Sequence, residues 1–252
     1  MTTLTAQDLL DALNGQQLRL HYQPQFDLFR QSVTGVEALV RWQHPRLGLL
    51  PPDRFIPLAE ASGLIVPLGS WVLSEACRQA AEWRRAGRMV TIGVNVSVRQ
   101  MGAAAGFLDV LRQSLEESGL PPEQLQLEVT ESILMDEQAL SLLSKLRNTG
   151  VSLAIDDFGA GYSSLSYLKR FPASTLKIDK GFMDSLPASL ADCMLVDGIT
   201  RLAHSFGMQV LAEGVEHQEQ IDVLHWMGCD MLQGYAIGRP AAADMLTKTL
   251  MQ

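Results

Sequence analysis

The sequence predicts an α/β protein, a modified TIM-like (β/α)8 barrel in which one strand runs antiparallel to the others. Three observations carry this expectation. Eight short apolar runs, at 18–28, 33–41, 91–97, 124–130, 151–157, 175–180, 208–213 and 231–236, have the length and composition of buried strands. Longer amphipathic stretches separate most of them, as helical crossovers between parallel strands require. Only Phe29-Arg30-Gln31-Ser32 separates the first run from the second. A parallel crossover takes about a dozen residues or more, so these two strands should form an antiparallel hairpin. A chain of 252 residues suits one such barrel, giving a single domain over 1–252.

The connecting elements read as helices. Phe107, Leu111 and Leu115 recur at i, i+4 and i+8, and Leu195, Ile199, Leu202 and Phe206 at i, i+4, i+7 and i+11. Gly119 and Gly207 stand where such runs stop before a strand, the place for a residue that tolerates left-handed backbone. Arg84, Arg85 and Arg88 read as a solvated helix end, where cations favour the dipole. Trp71, Trp83 and Trp226 fall in helical patterns and are expected to pack against the barrel.

Composition narrows the function. Hydrophobic residues make up 47% and charged residues 19%, as in an ordinary globular protein. The net charge of -8 argues against polymeric nucleic acid as a partner, which needs a basic footprint, but leaves small phosphate-bearing substrates open. The first residues lack the basic-then-apolar order of a signal peptide, and no apolar stretch has the length of a membrane segment. Cys77, Cys193 and Cys229 are odd in number and form no CxxC pair, which suits reduced thiols in a cytoplasmic protein.

The chemistry lies in the polar residues of the strands. The run Val151 to Ile155 ends on Asp156-Asp157, and adjacent carboxylates repel unless a cation or a shared proton intervenes. Glu37, Asn95, Glu128, Asp156, Lys177, Asp179, Glu213 and Gln233 fall one or two per strand across seven successive strands. In such a barrel they converge on one mouth, at the carboxyl ends of the strands. Hard divalent cations take oxygen ligands of this kind, and the five histidines show no zinc spacing. Asp179, two residues after Lys177, is expected on the same strand face and in place to orient it. The Gly- and Ser-containing segment Phe158 to Ser164 reads as a loop able to close over bound metal.

These residues also carry a resemblance. Glu37-Ala38-Leu39, Asn95-Val96-Ser97, Glu128-Val129-Thr130-Glu131, Asp156-Asp157-Phe158-Gly159, Leu176-Lys177-Ile178-Asp179, Ala212-Glu213-Gly214-Val215-Glu216 and Gln233-Gly234-Tyr235 occur in order. Together they resemble the EAL domain, a bacterial phosphodiesterase of cyclic di-GMP, from about Leu18 to Pro240. The resemblance implies two Mg²⁺ or Mn²⁺ ions held by Glu37, Asn95, Glu128, Asp156, Asp157 and Glu213, with Asp156 bridging. It implies Lys177 beside the attacking water or the scissile phosphate, as electrostatic stabiliser or as base; residue types leave both roles open. Glu131 would anchor the loop. Gln23, Leu39, Arg41, Glu216 and Gln233 would contact substrate. A homodimer and a cytoplasmic setting are implied, either as a self-standing enzyme or as a domain of a longer signalling protein. The reaction implied is hydrolysis of cyclic di-GMP to linear 5′-pGpG; the competing class is a receptor module that holds the nucleotide uncut.

Overall fold

The computed structural model describes residues 4–102, 104–135, 137–159, 168 and 171–249. Its strands are β1 (Leu18–Asp27), β2 (Ser32–His44), β3 (Gly48–Leu50), β4 (Thr91–Asn95), β5 (Leu125–Thr130), β6 (Ser152–Phe158), β7 (Thr175–Ile178), β8 (Gln209–Ala212) and β9 (Met231–Gln233). The sheet order is β1-β9-β8-β7-β6-β5-β4-β2-β3, and pairing of β1 with β2 closes the barrel. Strands β2 and β4 to β9 run parallel, while β1 is antiparallel to both its neighbours, β2 and β9. The four-residue connection therefore does what its length demands. Strand β3 lies outside the closed barrel, paired with the overhanging end of β2 from Trp42 to His44.

The described helices are α1 (Ala6–Asn14), α2 (Ile56–Ser62), α3 (Ile65–Arg85), α4 (Val98–Gly102), α5 (Ala104–Ser118), α6 (Glu137–Arg147), α7 (Leu190–Ser205), α8 (Gln218–Trp226) and α9 (Ala243–Thr249). Their apolar stripes cover the barrel, so Leu153 to Asp156 of β6 and all four residues of β7 are buried, whichever face they point to. Helix α3 buries Leu68, Val72, Leu73, Ala76 and Ala80 at helical spacing. Thr5 caps α1 through a reciprocal bond with Asp8. Gly119 (φ 69°) and Gly207 (φ 75°) end their helices in left-handed conformation.

Trp83 is buried and Trp71 partly so, but Trp226 is 81% exposed. It ends α8 on the side away from the packed face, which runs through Gln220, Leu224 and Met227 at i, i+4 and i+7. No helix among the described residues is long and apolar enough to cross a membrane.

Candidate metal centre and active site

Strand alternation turns one face of each parallel strand into the barrel, and the last inward positions meet at its mouth. There Lys177 of β7 is fully buried and ringed by carboxylates from four other strand ends. Its Nζ lies 2.5 Å from Glu128 Oε2, 2.7 Å from Glu213 Oε1, 2.9 Å from Asp156 Oδ1 and 3.9 Å from Glu37 Oε2. Asn95 Nδ2 donates to Glu37 Oε1 at 2.6 Å, which turns the amide oxygen of Asn95 away from that carboxylate.

A bulge brings in Asp157. Between Ile155 and Phe158, β6 carries one residue more than β7, and Asp157 takes a left-handed φ of 54°. In a regular strand neighbouring side chains point to opposite faces; an inserted residue re-aims one of them. As a result Asp156, Asp157 and Glu213 each place a carboxylate oxygen within 4.8 Å of the others.

The electrostatics follow from burial. Among the described residues, Glu37, Glu128, Asp156 and Glu213 lie within 4 Å of one ammonium and Asp157 stands beside two of them, so the carboxylates outnumber the cation. Burial alone would lower the pKa of Lys177, but Glu128, Glu213, Glu37 and Asp156 outweigh it and hold the group well above its ordinary value. Burial pushes Glu213 up to about 8, with Lys177 opposing and Asp156 and Glu37 adding to the rise. Glu128 is likewise raised by burial, and Asp157 is raised by burial and then by Asp156 and Asp179. Among the described residues, two buried oxygens of the site lack a hydrogen-bond partner: Glu128 Oε1, and Asp156 Oδ1, which meets Lys177 outside hydrogen-bonding geometry. Buried acceptors in excess of donors, all of them hard oxygens, fit divalent cations.

Glutamines close the mouth on the other side. Gln233 Nε2 donates to Glu37 Oε2 at 2.5 Å and to Gln23 Oε1 at 3.2 Å. Leu39 and Asn95 line a cavity of about 320 Å³ beside the carboxylates, walled by the apolar side chains of Pro52, Ile56 and Leu68. Arg41 is half-buried near Glu37, Tyr235 and Asp53. Glu131, buried just beyond β5, accepts from the backbone N–H of Gly159 at 2.9 Å. The rest of the loop, 160–164, lies outside the described residues.

Two expected residues stand apart. Asp179 does not reach Lys177: β7 ends at Ile178, so strand alternation no longer governs the next position, and Asp179 Oδ1 accepts from Gly181 N–H at 2.8 Å. Glu216 is exposed, its backbone N–H donating to Gln220 Oε1. Conversely, Gln25 joins the site by donating to Gln233 Oε1 at 3.0 Å. No motif singles it out; the alternation of β1 does, since it puts Gln25 on the same face as Gln23.

The comparisons agree with this geometry. Residues 6–240 match the model of the EAL domain. The chain is 48% identical over 242 residues to the bifunctional diguanylate cyclase/cyclic di-GMP phosphodiesterase MucR of Pseudomonas aeruginosa, covering 95% of this chain and 35% of that protein. It is 46% identical over 247 residues to the cyclic di-GMP phosphodiesterase NbdA of the same organism, covering 97% of this chain and 31% of that one. It thus spans about a third of the length of these relatives. The solved structure of the PaMucR phosphodiesterase in complex with c-di-GMP superposes with a TM-score of 0.91 at 47% identity, over 95% of this chain and 98% of that one. The chain belongs to the EAL domain family.

Proposed function

We propose that this chain is a metal-dependent phosphodiesterase that opens cyclic di-GMP to linear 5′-pGpG, using two Mg²⁺ or Mn²⁺ ions. The observation that carries the reading is the carboxylate cluster at the barrel mouth, where Asp156, Asp157 and Glu213 each bring an oxygen within 4.8 Å of the others and Glu37 and Glu128 stand against the same Lys177. Glu37, Asn95, Glu128, Asp156, Asp157 and Glu213 would hold them. Bound there, such ions supply Lewis acidity, charge neutralisation and an activated water. The names of the relatives and the c-di-GMP-bound structure support this substrate.

The remaining roles belong to the chain's own groups. Lys177 is held as an ammonium by its carboxylate cage in the metal-free protein; beside bound cations it would either stabilise charge growing on the phosphoryl oxygens or, its pKa lowered by the metal charge, take a proton from the attacking water. Arg41 offers a planar pair of donors to a phosphate. The apolar cavity beside Leu39 accepts a flat base, and Gln23 and Gln233 set the substrate against Glu37. Glu216 reaches a base edge from the rim. Glu131 holds the start of the loop through Gly159. Asp179 shapes the turn after β7 and adds negative charge near Asp157. A homodimer and a cytoplasmic setting within a longer signalling protein complete the proposal.

The test is incubation with cyclic di-GMP and Mn²⁺ or Mg²⁺, followed by chromatography. Metal-dependent pGpG, lost with chelator and in Asp156→Asn, is the expected result. Tight binding without product would assign the chain to the receptor class instead.

A further inference from the structure

Gln25 sits on the inward face of β1, directly across from Gln233 on β9 and from Gly35 on β2. It is buried, at 3% exposure, and its Nε2 donates to Gln233 Oε1. Gln233 Nε2 in turn donates to Glu37 Oε2 and Gln23 Oε1, and Gln23 Nε2 donates to the carbonyl of Gly238 at 3.1 Å. Two ends fix the direction of this chain of amides, because an ionised carboxylate and a backbone carbonyl can only accept. Gln233 must therefore turn its NH₂ toward Glu37, which leaves its oxygen facing Gln25. Only a donor satisfies that oxygen. Without one, that buried oxygen is left unpaired, and the amide is held by its NH₂ end alone.

The neighbourhood is shaped for this arrangement. A Cβ on residue 35 would lie 2.5 Å from Gln25 Oε1, so Gly35 opens the space that the Gln25 amide fills. Beyond Gln25, a cavity of about 260 Å³ at the opposite end of the barrel is lined by Gln25 together with Arg30 and Glu123.

We propose that Gln25 is a positioning residue: it fixes the amide of Gln233 and, through it, the carboxylate of Glu37. The consequence for metal and turnover rests on the function proposed above; the consequence for the amide does not. The test uses ¹⁵N-labelled metal-free protein, with the Gln233 side-chain NH₂ resonances assigned by their loss in Gln233→Leu. In the parent protein they should exchange slowly with solvent. In Gln25→Met and Gln25→Leu, which keep most of the volume but offer no donor, that protection should be lost. Mn²⁺ affinity, read by electron paramagnetic resonance, and kcat should each fall on the order of 10-fold, as for other groups that orient metal ligands. KM should rise as Gln233 loses its fixed orientation, and the thermal midpoint should fall modestly because Gln233 Oε1 is left buried without a donor. Unaltered Gln233 resonances in Gln25→Met would overturn the proposal, as would an equal loss of protection at buried amides remote from Gln233. Should the parent protein neither bind Mn²⁺ nor cleave cyclic di-GMP, the function fails and the Gln233 resonances alone decide the role of Gln25.

Discussion

Lys177 and Glu128 form a fully buried ion pair, Nζ to Oε2 2.5 Å, at the axis of the barrel mouth. The pair is over-supplied with negative charge, since three further carboxylates also face Lys177. Removing the cation from such a cage strands buried carboxylates. Lys177→Met should therefore destabilise the metal-free protein by about 3–5 kcal/mol. Denaturant melts with and without Mn²⁺ check this, and added Mn²⁺ should restore part of the loss while turnover stays abolished.

The same excess charge sets the pH dependence of the metal-free protein. Glu213 titrates near 8 when folded, against an ordinary value of 4.5, because it is buried. A carboxyl raised in this way takes up its proton on folding. Its contribution to stability is complete below about 4.5 and is lost as pH climbs toward 8. The raised pKa of Lys177 adds its own loss only above the ordinary lysine range, outside this window. Thermal midpoints without metal should fall between pH 5 and 8, a window set by Glu213, and saturating Mn²⁺ should flatten the slope.

Much of this was legible in the residues. Eight strands could be read because each is a compact apolar run, and the reversal of β1 because Phe29 to Ser32 is too short for a crossover. Strand β3 was not, since its three residues carry no period and pair only with an overhang of β2. At the site, Glu37, Glu128, Asp156, Lys177 and Glu213 come together as their strand positions imply. The Asp156–Asp157 bulge was hidden, because an extra residue in one strand shows only against its partner. Asp179 marks the opposite failure, a period-two argument carried one residue past the strand end.

That bulge makes Asp157 testable in two ways. Its left-handed backbone suits Asn far better than a β-branched residue. Asp157→Asn should fold with an unchanged midpoint but lose affinity for one of two Mn²⁺ ions by about 10-fold or more, measured by calorimetric titration. Asp157→Val should lower the midpoint as well, by an amount corresponding to about 1–3 kcal/mol of backbone strain.

Glu131 should act on the loop and not on the metal. Its carboxylate accepts from Gly159 N–H at 2.9 Å, so Glu131→Gln can keep an acceptor there whereas Glu131→Leu cannot. We expect a graded fall in kcat, small for Gln and on the order of 10-fold or more for Leu, with Mn²⁺ affinity nearly unchanged. Equal losses in both variants would point to a role for the charge itself.

The most direct measurement is cleavage of cyclic di-GMP in ¹⁸O-labelled water with Mn²⁺ present, followed by mass spectrometry of the products. If the carboxylate mouth drives attack of water on phosphorus, the product is 5′-pGpG carrying one ¹⁸O in its terminal phosphate, and chelator abolishes it. Intact cyclic di-GMP after prolonged incubation with metal-loaded protein, or a linear product without label, would contradict the hydrolytic role assigned to this site.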